Sequence, residues 1–236
     1  MVQQDESTEV RKTAVLFISK NLKEDPKIQY LLLEWEQQSQ CSYVRAASVS
    51  SLARYFKEQP EVYPLLINRV QTDEAPTVRK AAVYALAQYF KEEPETYSLL
   101  IDRVRQDQSV CLAAISVLAK YFQEKPETLP LFVERLRQDE RYYVRSTALK
   151  AIAYTQAPTP QTFDLLCDVA RHDPFVREYD THTNPRQTAL ELLLDRFPNK
   201  LLETVILLRD RAQNDPDEKL QNWAQEKLSE LDTKSA

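Results

Sequence analysis

Apolar residues recur along the chain at the spacing of an amphipathic helix. Between Val78 and Phe90 they fall at i, i+3, i+4, i+7, i+8, i+11 and i+12, which places them on one face of a helix. The segment 91–94 interrupts this stripe and ends in a proline, a residue that fits the first turn of a helix but not its middle. A second stripe follows, made of Tyr97, Leu100, Ile101 and Val104. The pattern predicts two helices joined by a short turn.

The same helix–turn–helix unit recurs along most of the chain. Each unit opens on a valine, usually followed by an arginine, in steps of 34, 34, 32 and 34 residues. The opening pairs are Val10-Arg11, Val44-Arg45, Val78-Arg79, Val110-Cys111 and Val144-Arg145. One hairpin cannot bury both of its apolar stripes, so the units must stack on copies of themselves. The sequence therefore predicts an all-α fold, a right-handed α-solenoid of about six helical hairpins with a C-terminal capping helix.

The stripes predict thirteen helices. We expect the first helices of the units at 9–22, 43–57, 77–91, 109–123, 142–155 and 184–197. We expect the second helices at 26–38, 60–71, 94–106, 126–138, 159–171 and 199–213, and the capping helix at 217–231. Residues 9–231 should form a single array, with residues 1–8 and 232–236 as flexible termini.

The regular spacing breaks once. A sixth opening pair is due at Val176-Arg177, but the helix pattern resumes only at Pro185-Arg186. The intervening residues, about 177–185, form an insertion. It is either a packing excursion at the end of the array or a loop that recognises a partner.

Composition excludes several function classes. The 236 residues include no glycine, although roughly 7% is usual. This absence excludes Gly-rich phosphate loops, dinucleotide fingerprints and nucleophile elbows. The net charge of −5 argues against a nucleic-acid partner. No apolar run reaches the roughly 18 residues of a membrane span, and the N-terminus lacks the apolar core of a signal peptide. We expect a cytoplasmic protein without a cofactor.

The three cysteines and two histidines add no recognisable chemistry. We expect the cysteines to be buried core residues in a reducing compartment, because they are far apart, odd in number and placed within helical patterns. They are Cys41, Cys111 and Cys167. His172 and His182 lie near acidic residues around the insertion, but their spacing matches no zinc motif. No metal is expected.

The junctions between units resemble those of HEAT repeats, in which an aspartate ends one unit and Val-Arg-x-x-Ala opens the next. Tetratricopeptide repeats share the period but carry a Trp and a Leu-Gly that this chain lacks. In the HEAT family these aspartates and arginines bond between and within repeats and form an internal polar ladder. The resemblance assigns the ladder to Asp73, Arg79, Asp107, Asp139, Arg145, Asp173 and Arg177.

The sequence places these ladder residues at short separations. Asp73 precedes Arg79 by six residues, and Asp139 precedes Arg145 by six. Asp173 precedes Arg177 by four. Cys111 occupies the position of the arginine expected after Asp107, so we expect Arg105 or a backbone N–H to satisfy that carboxylate.

The C-terminal third resembles a narrower group. The runs NPRQTALELLLDRFPNK from Asn184 and LLRDRAQNDPDEKLQNWAQEKLSEL from Leu207 are similar to the C-terminal HEAT region of bacterial, particularly cyanobacterial, NACHT-domain NTPases. In that family a nucleotide-driven switch lies upstream and the solenoid serves as a sensor or scaffold. The resemblance implies an NTPase partner or fusion, since a chain without glycine cannot form the phosphate loop itself.

Second helices carry two charged rows, which are candidate partner-binding residues. One row is Arg69, Arg103, Arg135 and Arg211. The row one residue earlier is Glu34, Asn68, Asp102, Glu134, Asp168 and Asp210. In HEAT arrays second helices line the concave side. The rows are either an ion-pair network between repeats, a groove for a protein partner, or a phosphate-tracking stripe, which the acidic row disfavours. Asp180 and His182 of the insertion are further candidates.

Two functions fit these patterns. The first is a non-catalytic HEAT-type interaction or scaffold module that binds a protein partner on its concave face or through the insertion. Its specific version is the sensor region of a NACHT-type NTPase system. The alternative is a helical-repeat enzyme or enzyme subunit, similar to DNA glycosylases or to bilin lyases. The acidic balance of the chain disfavours the glycosylase version, and no nucleophile–base pair supports catalysis.

Overall fold

A computed structural model describes residues 7–235, with the side chains of residues 234 and 235 left out. All regular structure in this range is helical. The helices are α1 (Thr8–Asn21), α2 (Pro26–Gln38), α3 (Ser42–Tyr55), α4 (Val62–Thr72), α5 (Pro76–Tyr89), α6 (Pro94–Gln106), α7 (Cys111–Tyr121), α8 (Thr128–Gln138), α9 (Tyr142–Thr155), α10 (Pro160–His172), α11 (Pro185–Arg196), α12 (Leu201–Asn214) and α13 (Glu218–Ser235). A short 3-10 turn, Pro198–Lys200, precedes α12. The predicted all-α solenoid class is confirmed.

The thirteen predicted helices correspond to these thirteen within two residues at each end, with one exception. Helix α13 continues to Ser235, whereas the tail from Asp232 was expected to be flexible. No glycine or proline interrupts its last turns, and Thr233 donates to the carbonyl of Glu230. Helix α1 begins at Thr8. The rest of the predicted flexible N-terminus, residues 1–6, lies outside the described residues, as does residue 236.

The chain divides into two compact units, the first ending at Phe122 and the second beginning at Gln123. In the first unit, α3 packs against α1 and α5, and α5 also packs against α7. In the second unit, α9 packs against α11, and α10 packs against both α11 and α12. Successive first helices are therefore neighbours within each unit, as stacked hairpins require.

Small and branched apolar residues fill the contacts between first helices. Val44, Val78, Ala82 and Leu86 are completely buried in the first unit. Cys111 and Cys167 are buried and unpaired, as core residues should be, but Cys41 is only half-buried because it precedes the first turn of α3. Among the described residues, no helix combines the length and apolar character needed to cross a membrane.

Candidate functional site

At four junctions between repeats, the aspartate in the turn after a second helix is bound by the arginine near the start of the first helix of the same repeat. Asp73 accepts hydrogen bonds from Nε and Nη2 of Arg45 at 3.2 and 3.0 Å. The third nitrogen of Arg45, Nη1, donates to the carbonyl of Ser39 at 2.9 Å. Each arginine thus holds the carboxylate of the next turn and the backbone of its own. Bidentate pairs of this kind combine charge with fixed geometry.

Four such pairs occur in the described residues, and we call them the Asp–Arg ladder. They are Arg45–Asp73, Arg79–Asp107, Arg145–Asp173 and Arg186–Asp215. In the Arg79–Asp107 pair only Nε reaches the carboxylate, and Nη2 donates to Oγ of Ser109 at 2.6 Å. Oδ1 of each aspartate also accepts the N–H of the residue two positions later. The arginine lies 28 or 29 residues before its aspartate. The six-residue separation noted in the sequence corresponds to a different bond, from Nη1 of Arg145 to the carbonyl of Asp139.

One assignment needs correction. Arg177 does not pair with Asp173, whose carboxylate is held by Arg145 at 2.7 and 2.8 Å. The insertion displaces Arg177 from the ladder position, which Arg186 occupies instead. The sequence interpretation also missed Asp215 as the acid of that pair. A search for aspartates 28 or 29 residues after each arginine would have found both members.

Two of these junction acids, Asp107 and Asp139, also accept hydrogen bonds from residues of their own turn. Asp107 accepts from Arg79 at 2.9 Å and from the backbone N–H of Ser109 at 3.0 Å. Asp139 lies 28 residues after Cys111, so the sequence supplies no ladder arginine for it. Instead Arg141 donates from Nε at 2.8 Å and from Nη2 at 2.7 Å. Burial raises the pKa of the Asp139 carboxyl, but the hydrogen bonds of Arg141 outweigh that effect and hold it below its ordinary value.

Three arginines of the second-helix row bind acids within the fold. Arg69 donates to Glu36 at 2.6 Å. Arg135 lies 3.7 Å from Asp139, and Arg211 lies 3.4 Å from Asp215. Each is half-buried, as is the fourth member, Arg103, whose buried Nε has no hydrogen-bond partner among the described residues. In the neighbouring acidic row, the side chains of Glu34, Asp102 and Asp168 are exposed.

The insertion forms a loop between α10 and α11, residues 173–184, which we call the α10–α11 loop. Arg177 fixes its centre, donating from Nε and Nη2 to Asp217 at 2.8 Å each. Asn184 donates to the same carboxylate at 2.7 Å, and Lys219 pairs with Asp180 at 3.0 Å. The hydrogen bond to Asp217 raises the pKa of Arg177. For Asp217, burial acts to raise the pKa, but the donors Arg177 and Asn184 bring it below its ordinary value. Ion pairs and hydrogen bonds therefore hold the loop against the start of α13.

Aromatic contacts fix the other side of the loop. Phe175 is buried, with its ring edge-on to that of Tyr142 at 5.2 Å between centroids. The ring of His182 lies 4.6 Å from Tyr142 and 5.1 Å from Tyr179. The loop still presents apolar surface outward, because Val176 is 78% exposed and Tyr179 is 66% exposed.

A cleft of about 690 Å³ lies beside this loop, and we call it the loop-lined cleft. Its apolar lining includes Leu136, Tyr142, Val169, Phe175 and Val176. Its exposed polar lining includes four charged residues, Arg137, Glu140, Asp168 and Glu178, and also His172. The volume is typical of a binding site. The lining combines apolar area with charged groups, a combination that suits the binding of a ligand or a partner segment.

The two histidines do not assemble a metal site. Nδ1 of His172 lies 2.9 Å from Asp168 on the same helix, whereas His182 stacks on tyrosines of the loop region. Across residues 7–235, no group of three or more His, Cys, Asp or Glu side chains could hold a metal ion.

Comparison with known proteins identifies the repeat. The family model for HEAT repeats matches residues 31–119 and 99–181, which together span more than half of the chain. The chain has no significant match among curated proteins or solved structures. The stacked hairpins agree with this match, and the chain belongs to the HEAT-repeat family.

Proposed function

We propose that the protein is a non-catalytic interaction module that binds a segment of a protein partner in the loop-lined cleft. The observation that carries this proposal is the position of the α10–α11 loop. The loop is held by the ion pair of Arg177 with the buried carboxylate of Asp217, yet it exposes Val176 and Tyr179 beside the cleft. Apolar side chains on an ordered loop lose little conformational entropy on binding, so they are suited to a partner contact. Protein binding is also the common role of HEAT repeats.

The charge of the cleft favours a basic segment. Glu140, Asp168 and Glu178 outnumber the single exposed arginine, Arg137, in its lining. The net charge of the whole chain, −5, acts in the same direction. Complementary charge raises the association rate and excludes acidic competitors. The expected ligand is a segment that places an apolar side chain against Val176 and a lysine or arginine near these carboxylates.

The more specific proposal concerns the identity of the system. The sequence from Asn184 resembles the HEAT region of bacterial NACHT-domain NTPases. We infer that the module acts in the bacterial cytoplasm as the sensor region of such an NTPase, as a separate chain or as part of a fusion. The lack of glycine supports this division of labour, since the nucleotide site must be supplied by another domain.

Site-specific photo-crosslinking tests the proposal. A photoreactive amino acid at position 176 or 179 should crosslink one protein in cells, whereas the same group at Tyr84, an exposed site in the first unit, should not. The crosslinked protein is then purified, and its binding to the intact chain is measured directly. A Val176→Glu, Tyr179→Ser double variant should weaken that binding by about tenfold or more, the effect expected of an interface hot spot.

The matched control is Tyr84→Ser, which should leave the affinity unchanged. Equal crosslinking from position 84, or full affinity in the double variant, would contradict binding at the loop. If the partner lacks an NTPase domain, the general proposal stands and the NACHT-specific version fails.

A further inference from the structure

The first repeat has an arginine at the ladder position but no aspartate 28 residues later, so its Asp–Arg pair, which we call the first rung, is incomplete. Arg11 follows Val10 as Arg45 follows Val44, so it occupies the ladder position of the first repeat. In the first unit, the arginines Arg45 and Arg79 each bind the aspartate 28 residues later. The residue 28 positions after Arg11 is Ser39.

Ser39 preserves the turn but not the charge. Its Oγ accepts the N–H of Cys41 at 3.2 Å, as Oδ1 of Asp73 accepts the N–H of Ala75 at 2.9 Å. Its carbonyl accepts from Arg45, so the backbone of this turn also takes part in the ladder. The rung therefore differs from the complete ones chiefly by the missing carboxylate.

No described residue supplies Arg11 with the carboxylate that its ladder position lacks. Among the described residues its Nε is buried without a hydrogen-bond partner, and no acid pairs with it. Asp139 has the opposite lack, since it has no ladder arginine, and Arg141 of the same turn binds its carboxylate instead. A buried donor with no acceptor is costly and uncommon in folded proteins. Nε of Arg103, Arg135 and Arg196 is buried without a partner as well in the described part of the chain. The missing acceptor at Arg11 is therefore indicated by the ladder spacing together with its Nε, not by Nε alone.

A cavity adjoins this arginine. Arg11, Gln38, Ser39, Gln40 and Cys41 line a space of about 340 Å³. Among the described residues, this lining contains one positive charge, two side-chain amides and no carboxylate. The Arg45–Asp73 pair shows what such an arginine holds in this fold: a carboxylate bound by Nε and Nη2 together.

We propose that this cavity is a carboxylate-binding site, in which the guanidinium of Arg11 holds the carboxylate of the ligand as Arg45 holds that of Asp73. The ligand is either a small organic acid or an acidic side chain of another protein, since both present the same group. The site lies in the first unit and is independent of the loop-lined cleft, so either proposal can fail alone.

NMR of the arginine Nε–Hε groups tests this directly. Acetate, titrated at constant ionic strength, should shift the Nε–Hε signal of Arg11 in a saturable way, with the signal assigned from its loss in Arg11→Gln. Arg45 is the internal control, because Asp73 already occupies it, and its signal should not move. An acetylated, amidated Gly-Asp dipeptide should act as acetate does if side-chain carboxylates fit, and its Gly-Asn analogue should be inactive. A shift by acetate alone would restrict the ligand to small acids.

Three results would overturn the proposal. They are an Arg11 signal that acetate does not move, an equal shift with chloride, and an equal shift at Arg45. A further variant, Asp5→Asn with Glu6→Gln, should bind acetate with unchanged affinity. A marked gain would mean that the chain's own carboxylates compete for Arg11, which would exclude an external ligand.

Ser39→Asp provides a second, independent test because it supplies the missing acid from within. This variant should lose the acetate-dependent shift and unfold at a higher temperature than the native chain. The gain in Tm should vanish when Arg11→Gln is combined with it. Ser39→Asn, which retains an oxygen for the turn but adds no charge, should still bind acetate. A Ser39→Asp variant that binds acetate as the native chain does would disprove binding by Arg11.

Discussion

At the scale of single residues, buried charge is the main determinant of how repeats join. The Arg186–Asp215 pair is the most deeply buried rung, with side-chain exposures of 3% and 0%. Arg186 donates to both carboxylate oxygens and also to the carbonyl of Phe175 at 3.0 Å. No other residue type offers this set of planar donors, so lysine cannot replace arginine here without loss of bonds.

Arg186→Gln should therefore destabilise the second unit strongly. The change leaves the carboxylate of Asp215 buried with only the more distant charge of Arg211, and breaking a buried pair costs about 3–5 kcal/mol. Urea unfolding followed by circular dichroism measures the effect. Arg209→Gln is the matched control, since Arg209 is exposed and should change stability by no more than about 0.5 kcal/mol. Equal stability of the two variants would mean that the ladder contributes little.

The sequence identified most ladder residues but not their pairing. Asp73 and Arg79 were recognised from their places at the junction, a local feature. The bond partner of Asp73, however, is Arg45, which lies 28 residues earlier in the first helix of the same repeat. Such a pairing depends on how far apart two stacked helices lie, and this distance is set by the packing of small residues between them. Arg177 was misassigned for the same reason, because its partner Asp217 lies 40 residues later.

At the scale of elements, helices were predictable and the α10–α11 loop was predictable only as an interruption. Helix positions follow from apolar periodicity and from prolines that begin α2, α5, α6, α10 and α11. The conformation of the loop depends instead on Asp217 at the start of α13 and on Tyr142 at the start of α9. Neither contact has a periodic signal in the sequence.

Asp217→Asn should release the loop without unfolding the helices. Asparagine can still accept the N–H of Lys219, so the start of α13 is retained, but the charge that holds Arg177 is lost. Amide hydrogen exchange should accelerate across residues 176–183 and remain unchanged in α11. Asp232→Asn, an exposed acid on the same helix, is the control. Unchanged exchange in the loop would show that the aromatic contacts alone hold it.

Ala82→Asp tests the packing between first helices. Ala82 is completely buried on α5, in the unit where α5 packs against α3 and α7. An aspartate there buries a charge with no partner, and we expect a loss of at least about 3 kcal/mol. Gln88→Asp introduces the same residue at an exposed position of the same helix and should be tolerated. Comparable urea midpoints would mean that this face of α5 is not the packing face.

At the scale of the whole molecule, the absence of glycine and the ladder are connected. Helices often end on a left-handed residue, which is usually glycine. Here the described residues contain no positive φ angle. Helices α4, α8 and α10 end instead on Asp73, Asp139 and Asp173 with ψ between 127° and 130°. The side chain of each aspartate then accepts the N–H two residues later, which closes the turn. The same acids thus end the helices and join the repeats.

Because these aspartates both end helices and join repeats, the stability of the fold should decrease as the pH falls. The pKa values of Asp107, Asp139 and Asp217 lie below their ordinary value, because hydrogen bonds from Ser109, Arg141 and Arg177 outweigh the opposing effect of burial. A carboxyl group whose pKa is lower in the folded state stabilises the fold at pH values above its pKa in the unfolded state. That contribution is lost as the pH falls through its pKa in the folded state.

The melting temperature Tm should therefore be nearly constant above about pH 5 and should fall steeply below about pH 4. Asp139→Asn should have a lower Tm at neutral pH and a shallower fall in acid. An equal slope in that variant, or a native Tm that holds to about pH 2, would contradict the role assigned to these carboxylates.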